Sequence, residues 1–285
     1  MRRLLAHALP PAAVVVLVLA AWEAVVRLRH IPEYLLPGPL RIAAALREDW
    51  PILFPSLLRT LTVTAEALLA AAVLGAALAV LLVQAKWIER SLFPFAVILQ
   101  VTPLVAIAPL LLIWVKDVDL ALGLCAFLVA FFPVASNTAL GLQSADHNLL
   151  DLMRLYGASR WKILRYIRLP SALPYFLGGL RISGGLALVG AVVAELVAGT
   201  GGTASGLAYR ILEAGYTLAI PRMFAALVLL GAAGVLLYAA LSGVSYLALR
   251  RWHESAVGRE GTRPRTGSPR GVVDKEGLTS ELSGH

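Results

Sequence analysis

The sequence predicts an all-α polytopic membrane protein with six transmembrane helices. Of its 285 residues, 59% are apolar and 15% charged, and the mean hydropathy is +0.79, so there is too little polar surface to clothe a soluble globule of this size. The apolar residues also fall into six runs. Each reaches the roughly 20 residues a helix needs to cross about 30 Å of hydrocarbon. No alternating ten-residue pattern of a barrel occurs, and an uninterrupted apolar run satisfies its own backbone in lipid only as a helix.

The first run covers residues 8–26, with Glu23 near its end, behind an Arg2, Arg3 start that resembles a signal peptide. Glu23, Arg27 and Arg29 make a poor small-residue cleavage region, so residues 1–29 read as a retained anchor. The second run, 61–83, has Glu66 as its one charge, and the third and fourth, 91–115 and 120–142, have none. The fifth, 171–198, holds Arg181 and Glu195, and the sixth, 223–249, is uncharged.

Between these runs the chain is differently composed. Residues 30–55 contain five prolines, Pro32, Pro37, Pro39, Pro51 and Pro55, which predict a broken, partly amphipathic segment at the outer interface. Residues 199–221 open on Gly199, Thr200, Gly201 and Gly202 and read as an outer loop or re-entrant turn. Residues 252–285 are polar, with no apolar period, and read as a disordered tail. With both termini in the cytoplasm, eleven Arg and Lys flank the spans inside and eight outside, so the positive-inside rule selects that orientation.

That orientation puts the most basic loop, within residues 143–170, in the cytoplasm. From Asp151 to Pro170 it reads as two short helices joined at Gly157. The glycine takes the left-handed turn, Ser159 caps the second helix, and Pro170 closes that helix or begins the fifth span. Ile163, Leu164 and Ile167 share one side of the second helix, and Lys162, Arg165 and Arg168 most of the other, with Arg160 out of pattern. Amphipathicity alone fits a helix lying on anionic lipid.

The spacing supports a second reading. Gly157, Ile167, Leu169 and Pro170 stand at the offsets of the EAA loop, with Ala158 after the glycine and Asp151 in the place of the glutamate. Leu152 and Met153 replace the usual alanines. The segment therefore resembles the loop of binding-protein-dependent ABC importer permeases. Gly179-Leu180-Arg181-Ile182 and Ala194-Glu195-Leu196-Val197 look like the nitrate, sulfonate, taurine and thiamine-precursor group. The resemblance covers residues 56–251 and implies a type I permease core, with the loop as the helix that couples to an ATPase subunit. It also implies a solute-binding protein outside and a second permease copy, a homodimer, beside this one. ATP and Mg would be bound by the ATPase and no cofactor by this chain.

Other classes fit less well. None of the four lysines follows a glycine, so the chain has no Gly-Lys-Ser/Thr phosphate loop and the energy must come from a partner. Its five histidines are scattered and Cys125 is its one cysteine, which leaves no metal-ligand spacing. The net charge of +8 flanks apolar runs rather than forming a basic stripe, against nucleic-acid binding. The rival class is a self-contained carrier or channel, suggested by polar residues within the spans. Those residues, Gln100, Asn137, Arg181 and Glu195, are the candidates for the translocation path. Gln100 and Asn137 also fit interhelical hydrogen bonding. Arg181, half-way along its span, fits either a substrate contact or an ion pair with Glu66, and Glu195, near the outer end, fits a solvated or gate-side role rather than a buried charge. Gly184, Gly185 and Gly190 suggest close helix packing.

Overall fold

Ten helices and no strand are defined among the described residues, which in this computed structural model are 2–84, 101–199 and 205–256, together with 87, 91, 94 and 98. In chain order they are α1 (Arg2–Leu28), α2 (Pro39–Glu48), α3 (Trp50–Gln84), α4 (Leu104–Trp114) and α5 (Val118–Gln143). Then come α6 (His147–Leu155), α7 (Arg160–Ile163), α8 (Leu169–Ala198), α9 (Leu207–Tyr216) and α10 (Ile220–Ala256). Residues 1–246 form one compact unit, and residues 247–285 a second, described only through the last turns of α10.

Four of these helical stretches are long and apolar enough to cross a membrane, Trp50–Gln84, Val118–Gln143, Arg160–Ala198 and Ile220–Arg250. The third expected span is described mainly through α4, which starts at Leu104 with Pro103 as its N-cap.

The centre of the bundle is α3, α5 and α8. The most extensive packing joins α5 to α8, followed by α3 to α5. Small residues make that possible, because lipid supplies no hydrophobic drive between helices and van der Waals contact has to do so. Ala67, Ala71, Ala126, Ala130, Ala187 and Ala191 are buried where these helices meet. At Gly190 of α8 an added Cβ would lie 2.8 Å from the Ala126 Cα of α5, so only glycine permits that crossing. Gly184 faces the Leu241 side chain of α10, while Gly185 faces open space. One polar bond crosses the same interface: the buried Ser183 hydroxyl donates to the Ala130 carbonyl at 2.6 Å.

The proline-rich segment is more helical than its composition suggests. α3 begins eleven residues before the second apolar run, taking in both Pro51 and Pro55. Pro51 sits in the first turn, where a missing N–H costs nothing, and the turn is closed instead by the Leu53 N–H on the Asp49 carbonyl at 2.9 Å. Pro55 gives up one helical bond. Ahead of it α2 packs Ile42 and Ala45 against Leu53, Leu207 and Ala225, at the end of the bundle opposite α6. Arg222 of α10 ties this end together by an ion pair to Asp49 at 2.7 Å. The stretch after residue 199 is likewise not all loop. Gly201 and Gly202 lie outside the described residues, but α9 follows them directly.

Candidate functional site

The loop between α5 and α8 is built from local bonds. Asp146 caps α6 by accepting the Asn148 N–H at 2.8 Å. At the other end Gly157 adopts φ 68°. Its N–H bonds the Arg154 carbonyl at 3.0 Å, and the Ala158 N–H bonds the Met153 carbonyl at 2.9 Å. These two bonds make a Schellman stop, with the side-chain contact that accompanies one: Met153 and Ala158 pack on Ala145, Leu150 and Ile163. Met153 thus fills the space beneath the turn. Ser159 then caps α7, its hydroxyl accepting the Lys162 N–H at 3.4 Å.

Of the two sequence readings of Pro170, the one in which it begins the fifth span describes the join, with Pro170 in the first turn of α8. α7 runs through a π-helical turn, Leu164–Arg168, straight into α8. In an α-helix the Pro170 ring would strike the Tyr166 carbonyl and leave it without its donor. Widening the preceding turn, with the Leu169 N–H bonded five residues back to the Leu164 carbonyl, accommodates the proline without a break. Loop helix and span are one rod.

The tip of this rod is apolar and uncovered. Leu155 and Tyr156 are 86% and 81% exposed, and Trp161 and Tyr166 are 64% and 66% exposed. Asp151 lies on the outer face of α6, paired with Arg154 at 2.9 Å. Ile167 is half-buried on the loop's own small core, and Leu169 and Pro170 lead into the span.

Among the described residues, the polar candidates of the spans do not converge. Gln100 lies outside the described residues. The Asn137 amide donates to the Pro133 carbonyl of its own helix at 2.8 Å rather than to a neighbouring helix. Its Cβ would be 3.0 Å from a Cβ on Gly179, so α8 passes close beside it. Arg181, one half-turn further along α8, has no carboxylate partner among the described residues. Its guanidinium lies over the Tyr238 ring of α10, 5.9 Å from the centroid, and Glu66 is exposed elsewhere.

Glu195 is fourteen residues beyond Arg181, about 21 Å along the helix, so the two cannot serve one small ligand together. Nor is it solvated, as its place near the span end suggests, being only 3% exposed. One carboxylate oxygen accepts the Thr60 hydroxyl of α3 at 2.8 Å, and the other accepts the Ala208 N–H at 3.0 Å. Thr60 in turn accepts the Leu207 N–H at 2.9 Å. Two orphan donors at the start of α9 are thereby satisfied by side chains from two spans, with the carboxylate placed at the positive end of that helix. A Cβ at Gly206 would meet the Glu195 carboxylate and force it out of this arrangement. Thr60, Gly206 and Tyr238 are the residues that reading along the chain missed. The one signal was the threonines Thr60 and Thr64, set one turn apart at the start of the second apolar run.

A protein-family profile described as binding-protein-dependent transport system inner membrane component matches residues 50–258. The chain is 34% identical over 230 residues to a probable ABC transporter permease protein of Haemophilus influenzae, spanning 81% of this chain and 92% of the relative. It is 30% identical over 244 residues to the formylaminopyrimidine transport permease of Halalkalibacterium halodurans, spanning 85% and 96%. It is also 30% identical over 223 residues to a putative aliphatic sulfonates transport permease of Bacillus subtilis, spanning 77% and 79%.

Proposed function

The chain belongs to the family of binding-protein-dependent inner-membrane transport components and is an ABC importer permease subunit; from that premise we propose that residues 143–170 seat in a cytoplasmic ATPase and drive the gate. It is a multi-pass inner-membrane protein, and its family works with an ATPase and a solute-binding protein. The observation that carries the proposal is the continuous rod from the exposed Trp161 through the π turn to Ala198. Closure of two ATPases displaces the tip. A rod without a hinge transmits that displacement to the level of Arg181 and beyond, as alternating access requires. On this reading both termini are cytoplasmic, two copies of this chain form a homodimer, and ATP and Mg are held by the ATPase.

Co-purification tests it. The full chain expressed with the ATPase encoded beside it should form a stable complex whose uptake needs ATP and the binding protein. Uptake by this chain alone in proteoliposomes, driven by an ion gradient, would instead make it a self-contained carrier.

For the solute we propose a small anion of the sulfonate, nitrate or taurine kind, or a thiamine-precursor-like heterocycle. Arg181 has no carboxylate to neutralise it among the described residues, which supports an anion, while the Tyr238 ring beside it would stack on a heterocycle. Arg181→Gln is expected to lower uptake of an anionic solute about tenfold or more, the worth of one charge-assisted hydrogen bond, with assembly unchanged. Undiminished uptake would remove Arg181 from the path.

A further inference from the structure

Behind the exposed tip of the loop lies a second cluster of charge. A cavity of about 390 Å³ is lined by Arg154, Arg160 and Arg168, together with Gln84 and the apolar Ile163 and Leu164. The arginines come from three elements: the end of α6, the start of α7 and the π turn. No carboxylate of the described residues lines the cavity. Asp151 holds Arg154 from the outer side, and Arg160 and Arg168 have no ion-pair partner among the described residues.

Arg168 is the informative one. It is half-buried, and one of its terminal nitrogens reaches the Val83 carbonyl at 3.4 Å. Its Nε is buried with no acceptor. A cationic N–H withdrawn from water and left unbonded is costly, and three like charges around one cavity add repulsion. An anion with several acceptor oxygens would reverse both terms, and guanidinium forks match phosphate geometry.

The position indicates the source of that phosphate. Gln84 follows the last residue of the second apolar run, 61–83, and Arg168 stands just ahead of the fifth, 171–198, so the cavity lies at the adjoining ends of two apolar runs. Leu81 and Leu169, next to these positions, are 53% and 40% exposed. A basic pocket between span ends with apolar surface alongside is suited to a headgroup whose acyl chains remain in the bilayer.

We propose that this cavity is a phosphate-ester site, filled by the headgroup of an anionic phospholipid. The occupant bridges α6, α7 and the π turn and so stiffens the rod where it enters the membrane. The site does not depend on the ATPase.

The test uses the full-length chain in uncharged detergent, titrated separately with phosphatidylglycerol, phosphatidylcholine and inorganic phosphate and read by native mass spectrometry. Phosphatidylglycerol should bind in preference to phosphatidylcholine, and Arg160→Gln and Arg168→Gln should each weaken it about fivefold. Inorganic phosphate binding with the same arginine dependence, and no preference between the lipids, would keep the phosphate site and overturn the lipid source. Equal binding of all three probes by wild type and variants would overturn the proposal. So would arginines that affect only capture of the ATPase, which would make the natural occupant a partner carboxylate. Arg160 is exposed, so its variant stands as the test if Arg168→Gln does not fold.

Discussion

Glu195→Ala is expected to remove most of the folded protein from the membrane. The carboxylate is 3% exposed and holds the Thr60 hydroxyl and the Ala208 N–H, and Thr60 passes the bonding on to the Leu207 N–H. Truncation leaves the Ala208 N–H without an acceptor, at about 1–3 kcal/mol, and the Thr60 hydroxyl with only the Ser56 carbonyl at 3.3 Å, a weaker bond that costs about 1 kcal/mol more. It also withdraws negative charge from the start of α9, about 0.3–2 kcal/mol more. The total, about 3–5 kcal/mol as for other broken buried pairs, is a large part of a typical stability of about 5–15 kcal/mol. Glu195→Gln keeps the shape and one acceptor oxygen and should recover much of the loss. Gly206→Ala should act in the same direction as Glu195→Ala, since its methyl group would occupy the carboxylate's place. Yield and thermal midpoint of the detergent-solubilised protein are the readouts, and an alanine variant as stable as wild type would show that α9 does not depend on this knot.

Glu195 also marks where reading along the chain stops. Hydropathy scores a residue by its neighbours in sequence, and by that measure a glutamate three residues from the end of a span belongs in water. The donors that allow its burial come from Thr60, in another helix, and from residues 207–208, which fold back over the span end. Arg181 and Tyr238 are separated in the same way, and nothing in either segment points to the other. The loop between α5 and α8 was legible for the opposite reason. Its glycine stop and serine cap close within five residues, so residue identity and spacing are enough. Pro170 was legible as the start of the span, but the wide turn before it, which absorbs the proline without a break, was not.

Gly157→Val should leave the protein folded and inserted while lowering ATP-driven uptake more than about tenfold. A Cβ at Gly157 meets nothing within 4 Å, so bulk is not the obstacle. The obstacle is φ 68°, a conformation that costs an L-residue about 1–2 kcal/mol and a β-branched one more. The chain can avoid that strain by opening the Schellman turn, which frees the Met153 and Arg154 carbonyls and swings α6 away from α7. Little core is lost, since the turn is exposed, but Leu155, Tyr156 and Trp161 no longer form one surface. Gly157→Asn, which tolerates the left-handed region, should retain most uptake, and Gly157→Ala should fall between the two. Trp161→Ala separates the surface from the turn: an exposed aromatic anchor is worth about 2 kcal/mol in an interface, so ATPase capture should drop while the thermal midpoint holds. The ordering Asn, Ala, Val is the diagnostic. A loop that bound the ATPase merely as a flexible tether would not distinguish among the three, whereas a rod whose tip is set by one backbone angle must.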